Sequence, residues 1–263
     1  MNIVVCVKYV PDATADRKFE DDYTVDRVGV DGLLSELDEY AVEQALQFRE
    51  KREGEEITVT ALTVGPEKAV DAIRKSLQMG ADSGVHVVDD AIAGSDYLGT
   101  SLVLAKAIEK IKAESGADLV ICGMASTDAS GSVVPAMLAE RLGLPQVTLA
   151  SVVESQGDQV RIKRDNEGST EVIGATLPIV LSVTDQSGEA RYPSFKGIMA
   201  AKKKPLEVLS LADLDVSADP SVAPRTIMTA VAEKPPRAAG VKIIDEGDAA
   251  DKLVDYLVQN RLV

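Results

Sequence analysis

Residues 123–132 read GMASTDASGS, a glycine- and hydroxyl-rich run that follows a short apolar stretch and precedes a helical pattern. A turn of this kind, feeding the start of a helix, presents backbone N–H groups, hydroxyl donors and the positive end of a helix dipole, a combination suited to a phosphate. No Gly-Lys-Ser/Thr follows and the glycines lack dinucleotide spacing, so the turn is neither a Walker loop nor a dinucleotide fingerprint. Serine and threonine also cap helices for structural reasons alone, so this run by itself leaves phosphate binding open.

A second segment, Arg191–Lys204 (RYPSFKGIMAAKKK), holds five basic residues and no acid in an otherwise acidic chain. Phe195, one of three phenylalanines, sits at its middle beside Pro193, Lys196 and Gly197, where a loop is expected. If exposed, that aromatic would anchor a transient partner while the charges raise encounter rate. The simpler expectation from composition is a core-facing Phe195 beside a solvated lysine run. His86, the single histidine, lies in a valine-rich, strand-like run and is expected to be structural rather than a general base. Cys6 and Cys122 are far apart in sequence, without Cys-x-x-Cys or Cys/His clustering. Free thiols in a reducing cytoplasm are expected, with neither a disulfide framework nor a metal site.

Alternating strands and helices must position these residues. Asn2–Lys8, Ile57–Val64, Val85–Val88 and Ala117–Gly123 are short, nearly continuous apolar runs, the pattern of strands buried on both faces of a parallel sheet. Between them lie helical periods: Glu39–Glu53, Val70–Leu77 stopped by Gly80, Leu98–Ile108 after a Ser95 N-cap and closed by Gly116, and Val133–Leu142 with Pro135 in its first turn. The pattern predicts an α/β fold, a doubly wound, mostly parallel sheet with right-handed crossovers. Ligands of such sheets bind beyond the carboxyl ends of the strands. Cys6–Tyr9, Val64–Pro66 and the approach Ser35–Asp38 are then expected at the same edge as residues 123–132. Cys6 and Val64 would wall an adenine, and Ser126–Gly131 would take its phosphate.

From Pro145, strand-like stretches at Val147–Glu154, Gln159–Lys163, Glu171–Ile173 and Ile179–Val183 read as hairpin additions to the same sheet. Residues 1–204 are thus expected as one α/β domain. Residues 205–263 carry five prolines (Pro205, Pro220, Pro224, Pro235, Pro236) and helical spacing only at Asp248–Arg261, as in an extended arm that orders on a partner. The 28 Lys and Arg against 43 Asp and Glu leave a net charge of -15, which repels nucleic acid and anionic lipid. No apolar run approaches the roughly 20 residues of a membrane span, and the N-terminus shows no basic, cleavable leader. A soluble, unexported, cytoplasmic protein is expected.

The segments IVVCVKYVPD, SELDEYAVEQAL, TVGPEKAVDAIRKSLQMGAD, GMASTDASGSVVPAMLAERLGLPQ, IKRDNEGSTEVIGATLPIVLSV and RYPSFKGIMAAKKKP occur in this order. Together they resemble the beta subunit of electron-transfer flavoprotein over nearly the whole chain. The resemblance implies an adenine-nucleotide alpha-hydrolase-like, Rossmann-like fold and an electron carrier with no catalytic residues of its own. It implies a heterodimer whose alpha subunit holds most of an FAD site. Electrons would come from acyl-CoA and related dehydrogenases of fatty acid beta-oxidation and leave to electron-transfer flavoprotein:quinone oxidoreductase.

By matching position it also implies a structural AMP touching Cys6, Ser35, Glu36, Leu37, Asp38, Val64, Gly123, Met124, Ala125, Ser126, Thr127, Asp128, Ala129, Ser130, Gly131, Ser132, Val133 and Val134. Arg191, Tyr192, Phe195, Lys196, Ile198 and Met199 would belong to a partner-recognition loop, residues 191–199, and residues 205–263 to an arm and helix packed on the alpha subunit. Three positions depart from the resemblance: Phe195 where many relatives carry leucine, Ala13 where some place a tyrosine near the flavin, and Ser169 where acids or glycines are usual. Rival readings are an electron-bifurcating variant with a second FAD in place of AMP, a free-standing nucleotide-binding stress-type module, and an unrelated enzyme built on His86.

Overall fold

Strands and helices alternate in the computed structural model, which describes residues 1–263 except Val28, Pro220 and Glu233. The first half of the chain forms β1 (Asn2–Cys6), β2 (Tyr9–Pro11), β3 (Gly32–Leu34), α1 (Glu36–Glu50), β4 (Thr58–Val64), α2 (Val70–Met79), β5 (Ser83–Val87), α3 (Tyr97–Ser115) and β6 (Leu119–Gly123). The second half adds α4 (Val134–Leu142), β7 (Gln146–Ala150), β8 (Val152–Gln156), β9 (Gln159–Asn166), β10 (Ser169–Thr176), β11 (Ile179–Val183), α5 (Phe195–Ala201), β12 (Leu206–Leu209) and α6 (Ala249–Gln259). Seven strands lie in the order β12-β5-β4-β1-β6-β11-β7, and every neighbouring pair is parallel.

β1 reads as an unbroken apolar run because its neighbours in sequence face opposite cores. Ile3 and Val5 join α1 and α2 through Ala41, Leu46 and Ile73, whereas Val4 joins α3 and α4 through Val103, Ile108 and Leu138. α1 begins three residues before the expected Glu39, at Glu36, with Glu36, Asp38 and Glu39 in the first turn where the helix dipole favours acids. α2 stops at Gly80 as expected, in a backbone conformation (φ 142) that suits glycine. The N-cap of α3 is Asp96 rather than Ser95: its carboxylate accepts the N–H groups of Leu98 and Gly99, while the Ser95 hydroxyl donates to the Val222 carbonyl.

The region after Pro145 differs from the expected hairpin additions. β7 and β11 enter the main sheet in parallel, while β8, β9 and β10 form a separate antiparallel sheet. The run expected as one strand, Val147–Glu154, is two. Leu149 takes a left-handed conformation (φ 61) with its N–H held by Ser182 Oγ, and the chain passes into the second sheet beyond it. Val160 and Ile162 point from β9 into the core beneath α1.

Residues after 204 are not all arm. β12 pairs with β5 at the sheet edge, and Leu209, Leu211, Leu214 and Val222 are buried in the α3/α4 core. One compact unit therefore spans Met1–Thr229, and Ala230–Val263 is a second. Pro220 lies outside the described residues. In the second unit α6 buries none of its residues, and its termini fall within the expected Asp248–Arg261. Among the described residues no helix is long and apolar enough to cross a membrane.

Candidate functional site

From β1 the strand order runs outward through β4 on one side and through β6 on the other. Such a switch point opens a crevice at the carboxyl ends of the central strands. Cys6, Val64 and Gly123 end β1, β4 and β6, Ser35–Asp38 start α1, and residues 124–134 lead from β6 into α4, so the expected nucleotide positions converge on one edge. Gly123 permits this: a Cβ there would lie 2.6 Å from Asp38 Oδ1 and 2.7 Å from the Leu37 carbonyl oxygen.

The turn is shaped by its backbone. Ser130 and Ser132 adopt left-handed conformations (φ 50 and 53) on either side of Gly131, over which the Tyr97 ring closes and donates its hydroxyl to the Ala129 carbonyl at 3.3 Å. Left-handed residues in a turn direct N–H groups into a shared concavity that binds anions. α4 then begins without a side-chain cap, and Pro135 has no N–H to offer, so the remaining first-turn N–H groups have no side-chain acceptor. The Ser35 hydroxyl at the start of α1 is fully buried and has no hydrogen-bond partner among the described residues.

Three cations close on this turn from residues that are remote in sequence. Lys8 Nζ lies 2.9 Å from Asp128 Oδ1 and 3.5 Å from Ser126 Oγ. Arg27 grips Asp128 Oδ2 through Nε and Nη2 at 2.9 and 2.6 Å. Arg17 donates to the carbonyls of Thr127 and Asp128. Burial alone would raise the Asp128 carboxyl, but Lys8 and Arg27 overturn that and hold it at about 2. Lys8, Arg17 and Arg27 thus gather around one ionised carboxylate in a chain whose net charge is -15.

Beneath the rim, Asp38 is enclosed and accepts the Lys8 N–H at 2.9 Å. Burial pushes its carboxyl up to about 7 in spite of that bond and of the nearby Lys8 charge. Cys6 and Cys122, remote in sequence, lie at the ends of neighbouring strands β1 and, one residue short, β6; a hydrogen bond to Cys6, reinforced by burial, pushes the Cys122 thiol well up. Both thiols are free. His86 is buried on β5 with Nε2 3.1 Å from the Gly65 carbonyl, and burial lowers its pKa, so the neutral ring donates and braces the Gly65–Pro66 turn.

The second site is the segment 191–204. Where a loop is expected, Phe195–Ala201 forms the short helix α5, capped by Ser194 Oγ on the Gly197 N–H. Phe195 is 81% exposed and Tyr192 91%, with Ile198 and Met199 also exposed, which overturns the core-facing expectation for Phe195. The basic residues divide. Lys196, Lys202 and Lys203 are exposed, whereas Lys204 donates to the carbonyls of Leu77 and Ala81 at the end of α2. Arg191 is bound to Glu43 and Glu50 of α1, contacts that hold its guanidinium charged well above the usual arginine range.

Residues 22–214 match the electron transfer flavoprotein domain family. The chain is 46% identical over its whole length to the electron transfer flavoprotein subunit beta of Mycobacterium tuberculosis, covering 99% of that protein. It is 33% identical to the subunit beta of Megasphaera elsdenii over 98% of this chain and 97% of that one, and 35% identical to that of Bacillus subtilis over 87% of each. The chain belongs to the electron transfer flavoprotein beta-subunit family.

As an electron transfer flavoprotein beta-subunit family member it has a part in electron transfer, and the α/β architecture is that of the family domain. Within this electron transfer flavoprotein chain the expected strand-end positions lie together, although Glu36 is exposed on the rim. Sequence reasoning missed the roles of Lys8, Arg17, Arg27 and Tyr97. Lys8 follows a strand that already pointed to this edge, so its position carried a signal. Arg17 and Arg27 carried none, because they lie on a loop about 100 residues from their partners in the turn.

Proposed function

We propose that this chain is the beta subunit of a two-subunit electron-transfer flavoprotein, which takes electrons from acyl-CoA and related dehydrogenases and passes them to a quinone oxidoreductase. A partner alpha subunit holds most of the FAD, and this chain binds a structural AMP. The observation that carries the reading is the cradle at the switch point: an uncapped helix start, left-handed Ser130 and Ser132, and Lys8, Arg17 and Arg27 gathered over them.

The donor set fits an adenylate. Backbone N–H groups of the turn and the start of α4 suit the phosphate, and Cys6 and Val64 offer an apolar wall to the base. The buried, unpaired Ser35 hydroxyl is available to a polar edge of the ligand. When bound, the flavin supplies the redox chemistry; the residues of this chain hold the adenylate, shape the shell and dock the donor. Phe195 and Tyr192 present apolar area to a donor pocket, and Lys196, Lys202 and Lys203 raise the encounter rate with an acidic rim. α6, whose apolar Leu253, Val254 and Val258 are exposed, suits a groove on the alpha subunit.

Co-expression with an alpha subunit, followed by acid extraction and nucleotide analysis, tests the reading. One FAD and one AMP per dimer are expected. Two flavins and no AMP would show an electron-bifurcating carrier instead, and a colourless, adenylate-free chain that is complete alone would end the proposal.

A further inference from the structure

The segment that presents Tyr192, Phe195, Ile198 and Met199 is fastened to the body at three points. At its start, the Arg191 guanidinium makes four hydrogen bonds to the carboxylates of Glu43 and Glu50 on α1, and its backbone N–H adds another to Glu43. At its middle, Gly197 lies so close to the end of α2 that a Cβ would sit 2.5 Å from the Gln78 carbonyl oxygen. At its end, Lys204 Nζ donates to the Leu77 carbonyl, which the last turn of α2 leaves without a helical partner, and to the Ala81 carbonyl just beyond that helix. The four apolar side chains are displayed between fixed points.

A mobile loop bearing the same side chains would have to be ordered at each encounter, at a cost in affinity for every side chain immobilised. A fastened one has been ordered during folding. Resting on the docking function above, we infer that Arg191, Gly197 and Lys204 are positioning residues: they keep the docking finger pre-formed and so set the affinity for the electron donor without touching it. Arg191 gives the sharpest distinction. If its charge met the donor, lysine would serve in its place, whereas a single ammonium cannot reproduce the planar fork that spans two carboxylates.

The test uses the assembled, flavin-loaded dimer reduced by an acyl-CoA dehydrogenase, with trypsin cleavage after Lys196 as a measure of finger mobility. Arg191→Lys and Lys204→Met are each expected to raise the KM for the dehydrogenase about tenfold, with flavin content and chemical reduction unchanged and cleavage faster. Glu50→Gln, which leaves the Glu43 pair in place, should shift both readouts in the same direction by less, and it stands in if Arg191→Lys does not assemble. A higher KM without faster cleavage would make these residues donor contacts and overturn the inference. So would an unchanged KM in these variants while Phe195→Ala raises it. An unchanged KM in Phe195→Ala would defeat the docking function itself.

Discussion

Asp128 and Asp38 lie on either side of Lys8, one paired with its ammonium and the other with its backbone N–H, yet their carboxyls are driven in opposite directions. Asp128 is held at about 2 in the fold, below its ordinary 3.8, so its pairing stabilises the protein above that ordinary value and is lost as pH falls through 4 toward 2. The loss should be about 2 kcal/mol in urea titrations, absent from Asp128→Asn. Asp38 has the reverse sign. Its carboxyl, raised to about 7, is protonated in the fold while still ionised in the unfolded chain, so stability falls as pH rises from 4 through 7. Asp38→Asn should flatten the stability profile across that window. At the finger, Phe195→Ala should weaken dehydrogenase-coupled reduction by roughly 1 to 4 kcal/mol while flavin content and chemical reduction stay intact. The sequence showed Phe195 flanked by cations but not its exposure, because a lone aromatic in a basic run is equally compatible with a core position. Asp128 was legible as part of a phosphate-type turn; its grip on Arg27 was not, since nothing local marks a contact 101 residues away.

At the scale of elements, the turn from β6 into α4 depends on close backbone approach. Gly123→Ala would place a Cβ 2.7 Å from the Leu37 carbonyl, a backbone atom at the start of α1 that cannot rotate aside. A cost of about 1 to 3 kcal/mol is expected in denaturant titrations, together with loss of AMP from the purified dimer. The main-sheet strands and the helices before residue 144 were legible because two-sided burial makes continuous apolar runs and Gly80 and Gly116 mark real helix ends, whereas the short antiparallel pair β2 and β3 was not. The second half was less so. The division of β7 from β8 rests on left-handed Leu149 and its bond to Ser182, and leucine carries no local signal for that conformation. Asp96 and Ser95 are both good capping residues, and only the fold decides between them, by giving Ser95 to Val222 and leaving Asp96 for the helix.

At the scale of the molecule, an adenylate that binds only the folded chain stabilises it by mass action, by about 2.7 kcal/mol at a hundredfold excess over its dissociation constant. A dimer stripped of AMP should therefore melt at a lower temperature while its flavin is still reduced chemically, and an unchanged melting temperature would contradict a structural role. The overall architecture was legible from alternation alone, and the family from motifs in fixed order. The limit of the compact unit was not. Pro205 reads as the start of an arm, yet four residues of edge strand and a buried Val222 follow it. Asp96 also accepts the N–H groups of Arg225 and Thr226, pinning the chain at the start of α3, beside the Tyr97 that covers Gly131. Beyond this mooring, residues 227–248 can reach at most about 80 Å when fully extended. Were the proposed alpha subunit to grip α6, it would be leashed within that radius, and short tethers of this kind raise local concentration to the millimolar range. A partner that lets go of the main body would be recaptured long before it could diffuse away.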